Sequence, residues 1–298
     1  MPTPTIAGMS PITLGTTVLA ADDVLPDPGV NIEGFKHSGN PYASAALRLG
    51  FAPSVRFRTP FIDVYNILGF KTTKLTAFNF TFRKFTDYLT AAGSVHPQYS
   101  LAASATAAAR IVGASTDQGG VLYADVQVTP LSVDGTTNPL QSANAALPTL
   151  VAEPTLHTLG AVVLNGTKVN GVKRIGFDLG IDLVGERYDG EPYLRNVAET
   201  DPNPSISGDH GDPIGLLAAL GLTGLAASSN FDVYFRDMTA GLAQATGLRL
   251  RMASAVATPG AVSFRRGAIT GQGFNILPLS TTTTHPFVLA TGQAIPAG

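Results

Sequence analysis

Two stretches of the chain run in parallel: TPFIDVYNILGFKTTKLTAFNFTFRK, residues 59–84, and DPIGLLAALGLTGLAASSNFDVYFRD, residues 212–237. Each opens on a residue able to cap a helix, Thr59 or Asp212, followed by a proline. Proline is harmless at the first helical position because its missing N–H would be unpaired there anyway. Phe61, Val64, Tyr65 and Leu68 then recur at helical spacing, as do Leu216, Leu217 and Leu220, and Gly69 and Gly221 stand where a helix would stop. An alternating strand follows in both. Phe78, Phe80 and Phe82 share one face of Leu75–Lys84, and Phe231, Val233 and Phe235 share one face of Phe231–Arg236. The distance from cap to first aromatic is 19 residues in each, Thr59 to Phe78 and Asp212 to Phe231, and the blocks lie 153 residues apart.

Weaker echoes flank this block in the same order. APSV (52–55) precedes the first helix and NPSI (203–206) the second; LAAS (101–104) resembles RMAS (251–254), and VQVTPLS (126–132) resembles NILPLS (275–280). The pattern predicts an internal duplication with units at 1–150 and 151–298 and a linker within residues 135–154. Elsewhere the strand candidates are Ile12–Leu19, Ala45–Phe51, Val121–Val128, Thr158–Leu164, Arg174–Val184, Leu248–Ala255, Ala261–Arg265 and Phe274–Leu279. The expected fold is therefore mainly β: two tandem β-sandwich or barrel domains, each with one flanking α-helix. The Ala-rich segment 100–110 reads equally as helix or loop.

Residues 173–186, KRIGFDLGIDLVGE, alternate most clearly. Ile175, Phe177, Leu179, Ile181 and Leu183 point one way; Arg174, Gly176, Asp178, Gly180, Asp182, Val184 and Glu186 point the other. As one strand this segment would run about 45 Å. Its second face suits either an ordinary solvated surface or the wall of an aqueous channel whose carboxylates repel a polyanion.

Composition narrows the function classes. Charged residues are 13% of 298, net charge is −2 and cysteine is absent. The charge balance argues against nucleic-acid binding through a basic patch, and the missing cysteines exclude a disulfide framework and thiolate chemistry. So little charge implies either extensive burial against other subunits or a Ser/Thr-rich β surface. The N-terminus lacks the pattern of a secretory signal, and Ile214–Asn230 reads as a buried helix plus turn, not a membrane span. No P-loop, G-x-G-x-x-G, G-x-S-x-G or HExxH pattern occurs. VDGTT (133–137) reads as a turn, and the pairs Asp22–Asp23 and Asp178/Asp182 lack an apolar pocket that would split their pKa values. Asp209, His210 and Asp212 in SGDHGDP form the best metal-like cluster, but Asp212 is already assigned to capping. No enzyme, cofactor or metal site is expected.

The stretch LGAVVLNGTKVNGVKRIGFDLGIDLVGE (159–186), followed by PNPSI, the Asp212–Pro213 helix start and FDVYFRD, resembles the tail tube (major tail) proteins of tailed bacteriophages. The resemblance covers most of 155–280 and is weaker over 1–150. It implies β-sandwiches with a flanking helix and long β-hairpins lining a lumen, and the duplication matches the two-domain type that forms trimeric, pseudo-hexameric rings. Arg174, Asp178, Asp182 and Glu186, with Asp22 and Asp23 in the first half, would then face the DNA path. The implied partners are further copies of the chain in trimeric or hexameric rings stacked into a tube, other tail proteins (tape measure, terminator, baseplate) and DNA in transit without sticking, with no membrane. The implied location is the virion tail, assembled in the host cytoplasm. Two rivals stand beside it: another virion part such as a neck, capsid-decoration or baseplate component, or a ligand-binding module or metal-assisted hydrolase using Asp209, His210 and Asp212.

Overall fold

A computed structural model describes residues 10–35, 45–82, 95–149, 155–221, 224–239, 246–265, 268–280 and 285–296. The first half contributes β1 (Ser10–Leu14), β2 (Thr17–Ala21), β3 (Asp23–Asp27), β4 (Val30–Phe35), β5 (Ala45–Phe51), β6 (Ser54–Thr59), α1 (Asp63–Leu68), β7 (Thr73–Leu75), β8 (Phe78–Thr81), β9 (Val95–Leu101), β10 (Thr106–Asp117), β11 (Tyr123–Leu131) and β12 (Leu140–Ala146). The second contributes β13 (His157–Leu164), β14 (Thr167–Val169), β15 (Val172–Asp178), β16 (Leu183–Glu186), β17 (Asn196–Glu199), β18 (Ser205–His210), α2 (Pro213–Leu220), β19 (Leu225–Asp237), β20 (Thr246–Arg265), β21 (Ala268–Pro278) and β22 (Phe287–Ala294). The fold is mainly β, built from large antiparallel sheets.

One sheet follows the order β12-β9-β8-β1-β2. The largest runs β14-β13-β19-β20-β21-β18-β15-β10-β11-β6-β3, with β22 added to β20 and β7 to β10. Two hairpins, β4–β5 and β16–β17, stand apart as small sheets. Buried residues of the five-stranded sheet (Ile12, Leu19, Phe80) and of the large sheet (Val55, Ile111, Ile175, Phe274) belong to one continuous core. Each such aromatic or branched side chain contributes roughly 1.5–3 kcal/mol by leaving water.

The same pairings occur twice along the chain. Leu14 faces Phe78 and Ile12 faces Phe80; Leu164 faces Phe231 and Val162 faces Val233. Tyr99 faces Phe80 and Ser142, as Leu250 faces Val233 and Leu289. Val24 faces Phe57 as Ile175 faces Gly208, and Val55 faces Val128 as Ile206 faces Ile276. The hairpin pairs also correspond, Ile32 with Arg48 and Leu183 with Glu199. One core position exchanges its bulk across a rung. Phe57 faces Val126 in the first half; in the second, Gly208 faces Phe274, whose ring occupies the space a Cβ on Gly208 would need. Large-to-small and small-to-large changes on facing strands keep the volume of a packed core.

Several local expectations change. Asp212 caps α2, its Oδ1 accepting from Ile214 N at 3.1 Å with Pro213 next. Thr59 does not cap α1: that helix starts at Asp63 after Ile62, which makes no side-chain cap bond. The Thr59 hydroxyl ends β6 instead, donating to Ala20 O at 2.8 Å and accepting from Phe61 N at 3.2 Å. Ile12–Leu19 is a hairpin, not one strand, because Gly15 takes φ +60. Leu75–Lys84 divides into β7 and β8, and Arg83 and Lys84 lie outside the described residues. Leu248–Ala255 and Ala261–Arg265 are parts of one strand, β20, with a bulge between Pro259 and Val262. The linker region contains strand β12. Segment 100–110 is strand, turn, strand, the Ala105 N–H donating to Ala102 O. Its alanines are small because β10 is covered on both sides: Ala107 and Ala109 face the main core, while Ala108 meets Leu131 and Leu194.

The segment 173–186 is not one long strand. β15 ends at Asp178, whose Oδ1 accepts from Gly180 N at 2.8 Å, and Gly180 takes φ +60. The first half has the same device: Asp27 Oδ1 accepts from Gly29 N at 2.8 Å, with Gly29 at φ +58. A Cβ on Gly180 would fall on the Asn203 carbonyl, whereas one on Gly190, at φ +80, would meet nothing within 4 Å. Gly180→Ala should therefore lower the unfolding free energy by about 3 kcal/mol and Gly190→Ala by only about 1 kcal/mol. Equal losses in urea unfolding would contradict this account of the break.

Candidate functional surface

The side of the large sheet opposite the core is an open polar face. On β6 the alternation buries Val55 and Phe57 and turns Arg56 and Arg58 outward. On β15 it buries Ile175 and Phe177 and exposes Arg174 and Asp178. On β18 Ile206 and Gly208 are buried while Ser205, Ser207 and Asp209 are exposed. The face continues over Asp125 and Gln127 of β11 and over Gly273 and Asn275 of β21.

Shallow grooves on this face occupy corresponding places in the two halves. One is lined by Asp23, Arg56, Asp125 and Gln127, the other by Arg174, Ser207, Gly273 and Asn275. The first-half groove mixes both charge signs; the second is dominated by small and neutral groups. Neither holds convergent catalytic chemistry, and among the described residues no group of three His, Asp or Glu side chains is placed to hold a metal ion. Asp209 and His210 illustrate why. Adjacent strand residues point to opposite faces, so Asp209 is exposed while His210 is fully buried, its Nδ1 accepting from Asp212 N at 2.9 Å.

The sequence candidates fall into place as follows. Asp22, Asp23, Arg174, Asp178, Asp182 and Glu186 are all exposed. Arg174 and Asp178 share the open face directly, with Arg174 Nε 3.6 Å from Asp117. Asp182 lies past the break at Gly180 and pairs back onto the face, its carboxylate 3.6 Å from the Arg110 guanidinium. Glu186 belongs to the separate β16–β17 hairpin, where it accepts from Asn196 Nδ2 at 3.2 Å. Sequence reasoning overlooked Arg56, Arg58, Arg110 and Asp125, and singled out Asp209 only as part of a metal-like cluster. The first two were legible in SVRFRT, where charge alternates with Val55 and Phe57. It also overlooked Asp27, the true counterpart of Asp178, despite the shared D-x-G spelling at 27–29 and 178–180.

Burial sets the electrostatics. The Arg110 side chain is only 7% exposed, and desolvation lowers its pKa against the opposing pull of Asp182. Gln127 Oε1 accepts from its Nη2 at 2.9 Å. Desolvation likewise raises the pKa of Asp125 from its ordinary value, opposed by Arg58. Asp134, in the VDGTT turn, is held well below that range, first by the Thr137 hydroxyl and then by the Thr137 and Thr136 N–H groups. That segment is therefore a turn, as its spelling suggests.

No protein-family model and no curated protein sequence matches this chain.

Asp182 is itself 85% exposed, so its pairing with Arg110 is worth less than a buried ion pair. Asp182→Asn should lower stability by about 1 kcal/mol in the natural chain. It should have no effect in an Arg110→Met background, where a double-mutant cycle by urea unfolding would register the coupling. An equal loss in both backgrounds would contradict the pairing.

Proposed function

We propose that this chain is a structural subunit of a bacteriophage tail tube, with the open polar face of the large sheet lining the passage for DNA. In this reading residues 1–150 and 151–298 are duplicated β-sandwich units with one helix each, and three chains close into a ring with pseudo-sixfold symmetry. Stacked rings make the tube. One observation carries the reading: eight antiparallel strands, four from each half, run side by side in one sheet whose described outward residues are mostly polar or small, with Leu25 and Leu277 as exposed apolar exceptions.

The chemistry of the face suits a conduit. A duplex passes without arrest where cations are few and are matched by carboxylates. Arg56, Arg58 and Arg110 are interspersed with Asp23, Asp125 and Asp182, and Arg174 with Asp117 and Asp178. The lumen reading of Arg174, Asp178, Asp182, Asp22 and Asp23 thus becomes one of a balanced face, not an acidic one.

Asp178 and Asp182 both hold local structure, so Asp209→Lys combined with Asn275→Lys is the cleaner test. Rods assembled from this variant should retain added duplex DNA at low salt and release it as salt rises, and virions carrying it should eject DNA more slowly. Natural retention and natural ejection would contradict the placement of this face in the lumen. Closed rings that never stack would favour a neck or baseplate role.

A further inference from the structure

The halves of the chain join edge to edge. β10 of the first half pairs antiparallel with β15 of the second, with Gly113 opposite Asp178, Ser115 opposite Gly176 and Asp117 opposite Arg174. Each of these strands has a counterpart. β3 corresponds to β15, since Val24 faces Phe57 as Ile175 faces Gly208. Residues 261–265 of β20 correspond to 113–117 of β10, since Val262 faces Gln272 as Ala114 faces Ala124, and a bulge precedes both. Among the described residues β3 pairs only with β6, and 258–265 pair only with β21. The end strand β3 and the one-sided stretch 258–265 of β20 are therefore open copies of the two partners that meet in the middle of the sheet.

We propose that these open edges pair with each other between copies of the chain: Asp23–Asp27 of one against Ala261–Arg265 of the next, antiparallel, with Asp27 opposite Ala261, Leu25 opposite Ser263 and Asp23 opposite Arg265. This deepens the ring reading above and rests on it for the meeting of copies; the register rests on the internal junction.

Three independent features support it. First, the internal rung Asp117–Arg174 sets opposite charges 3.6 Å apart, and the transferred rung sets Asp23 opposite Arg265, again of opposite sign. Second, an apolar residue buried just past the internal junction has an open counterpart beside the free edge: Ile181 is 6% exposed and Val30 42% exposed.

Third, the donors are arranged for a head-to-tail partner. Leu179 N donates to Val112 O at 3.1 Å and Gln118 N donates to Lys173 O at 2.7 Å, so the odd-numbered residues of β15 turn their backbone groups toward β10. Their counterparts along the β3 edge are Val24, Pro26 and Pro28. Two of the three lack an N–H, so two β3 edges set against each other would be short of donors. The corresponding outward residues of β20, Val262 and Phe264, are not prolines and carry N–H groups to give. The edge thus disfavours a two-fold self-pairing and accepts a heterologous one, which closes into a ring or runs on as a filament.

The chain has no cysteine, so a disulfide reports the register cleanly. Ser115 and Gly176 form a non-hydrogen-bonded pair, in which Cα atoms sit about 4.5 Å apart, within disulfide reach. Leu25→Cys with Ser263→Cys should link chains under mild oxidation into a ladder that ends at the ring size, while neither single variant links. Asp23→Arg and Arg265→Asp should each weaken association about tenfold, and together they should restore it. Dimers of Leu25→Cys alone overturn the proposal. If the natural chain assembles but the double cysteine variant never links and the charge exchange does not rescue, the register is wrong and the ring reading stands. If the natural chain remains monomeric at every concentration, both fall.

Discussion

The ladder between β10 and β15 is the constraint on which the rest of the molecule depends. Without it the first-half and second-half sheets would each end in an unpaired edge inside the chain. With it they form one surface. Edge strands carry unpaired N–H and C=O groups and invite further pairing. This chain satisfies that demand once internally and leaves a copy of each partner, β3 and residues 258–265 of β20, paired on one side only among the described residues. Aromatic packing reinforces the seam. Phe177 lies edge-on to Phe235 and Phe287, and Phe287 in turn meets Phe70 from the first half. The junction is thus a packed interface as well as a hydrogen-bonded one.

A second consequence follows from the hairpins. β4–β5 and β16–β17 leave the sheet at Gly29 and Gly180, where the left-handed backbone turns the chain sharply after an Asp that accepts from the glycine N–H. Beyond the second of these, Tyr193 stacks on Phe51 at 5.3 Å and Tyr193 N donates to Gly135 O, so the second-half arm rests on the first half. The arm also covers Ala108, which explains why a strand with such modest β propensity is stable there.

Much of this was legible in the sequence, for reasons that can be named. Asp212–Pro213 states a helix start in purely local terms, and Gly69 and Gly221 state the ends. Paired aromatics at equal distances pointed to corresponding strands, and Phe78 and Phe231 do pair with Leu14 and Leu164 in the same way. Thr59 misled because Thr-Pro has the same spelling as a cap while its hydroxyl is recruited by Ala20, a partner 39 residues away. Segment 173–186 misled because alternation continues in phase through Gly180: Ile175, Phe177, Leu179 and Ile181 are all buried, although the strand breaks between them. The arginines of the open face were missed because Arg110 looks like an interruption in an alanine run. Only the register places it beside Gln127.

Low charge also finds a physical explanation. On the proposed reading, a sheet whose edges are covered by other copies leaves less surface that must be kept soluble by charge. The most direct measurement is the native mass of the purified chain over a concentration series, with negative-stain images of each fraction. A discrete species of three chains that stacks into hollow rods is expected. A monomer at every concentration would contradict head-to-tail closure and the tube with it.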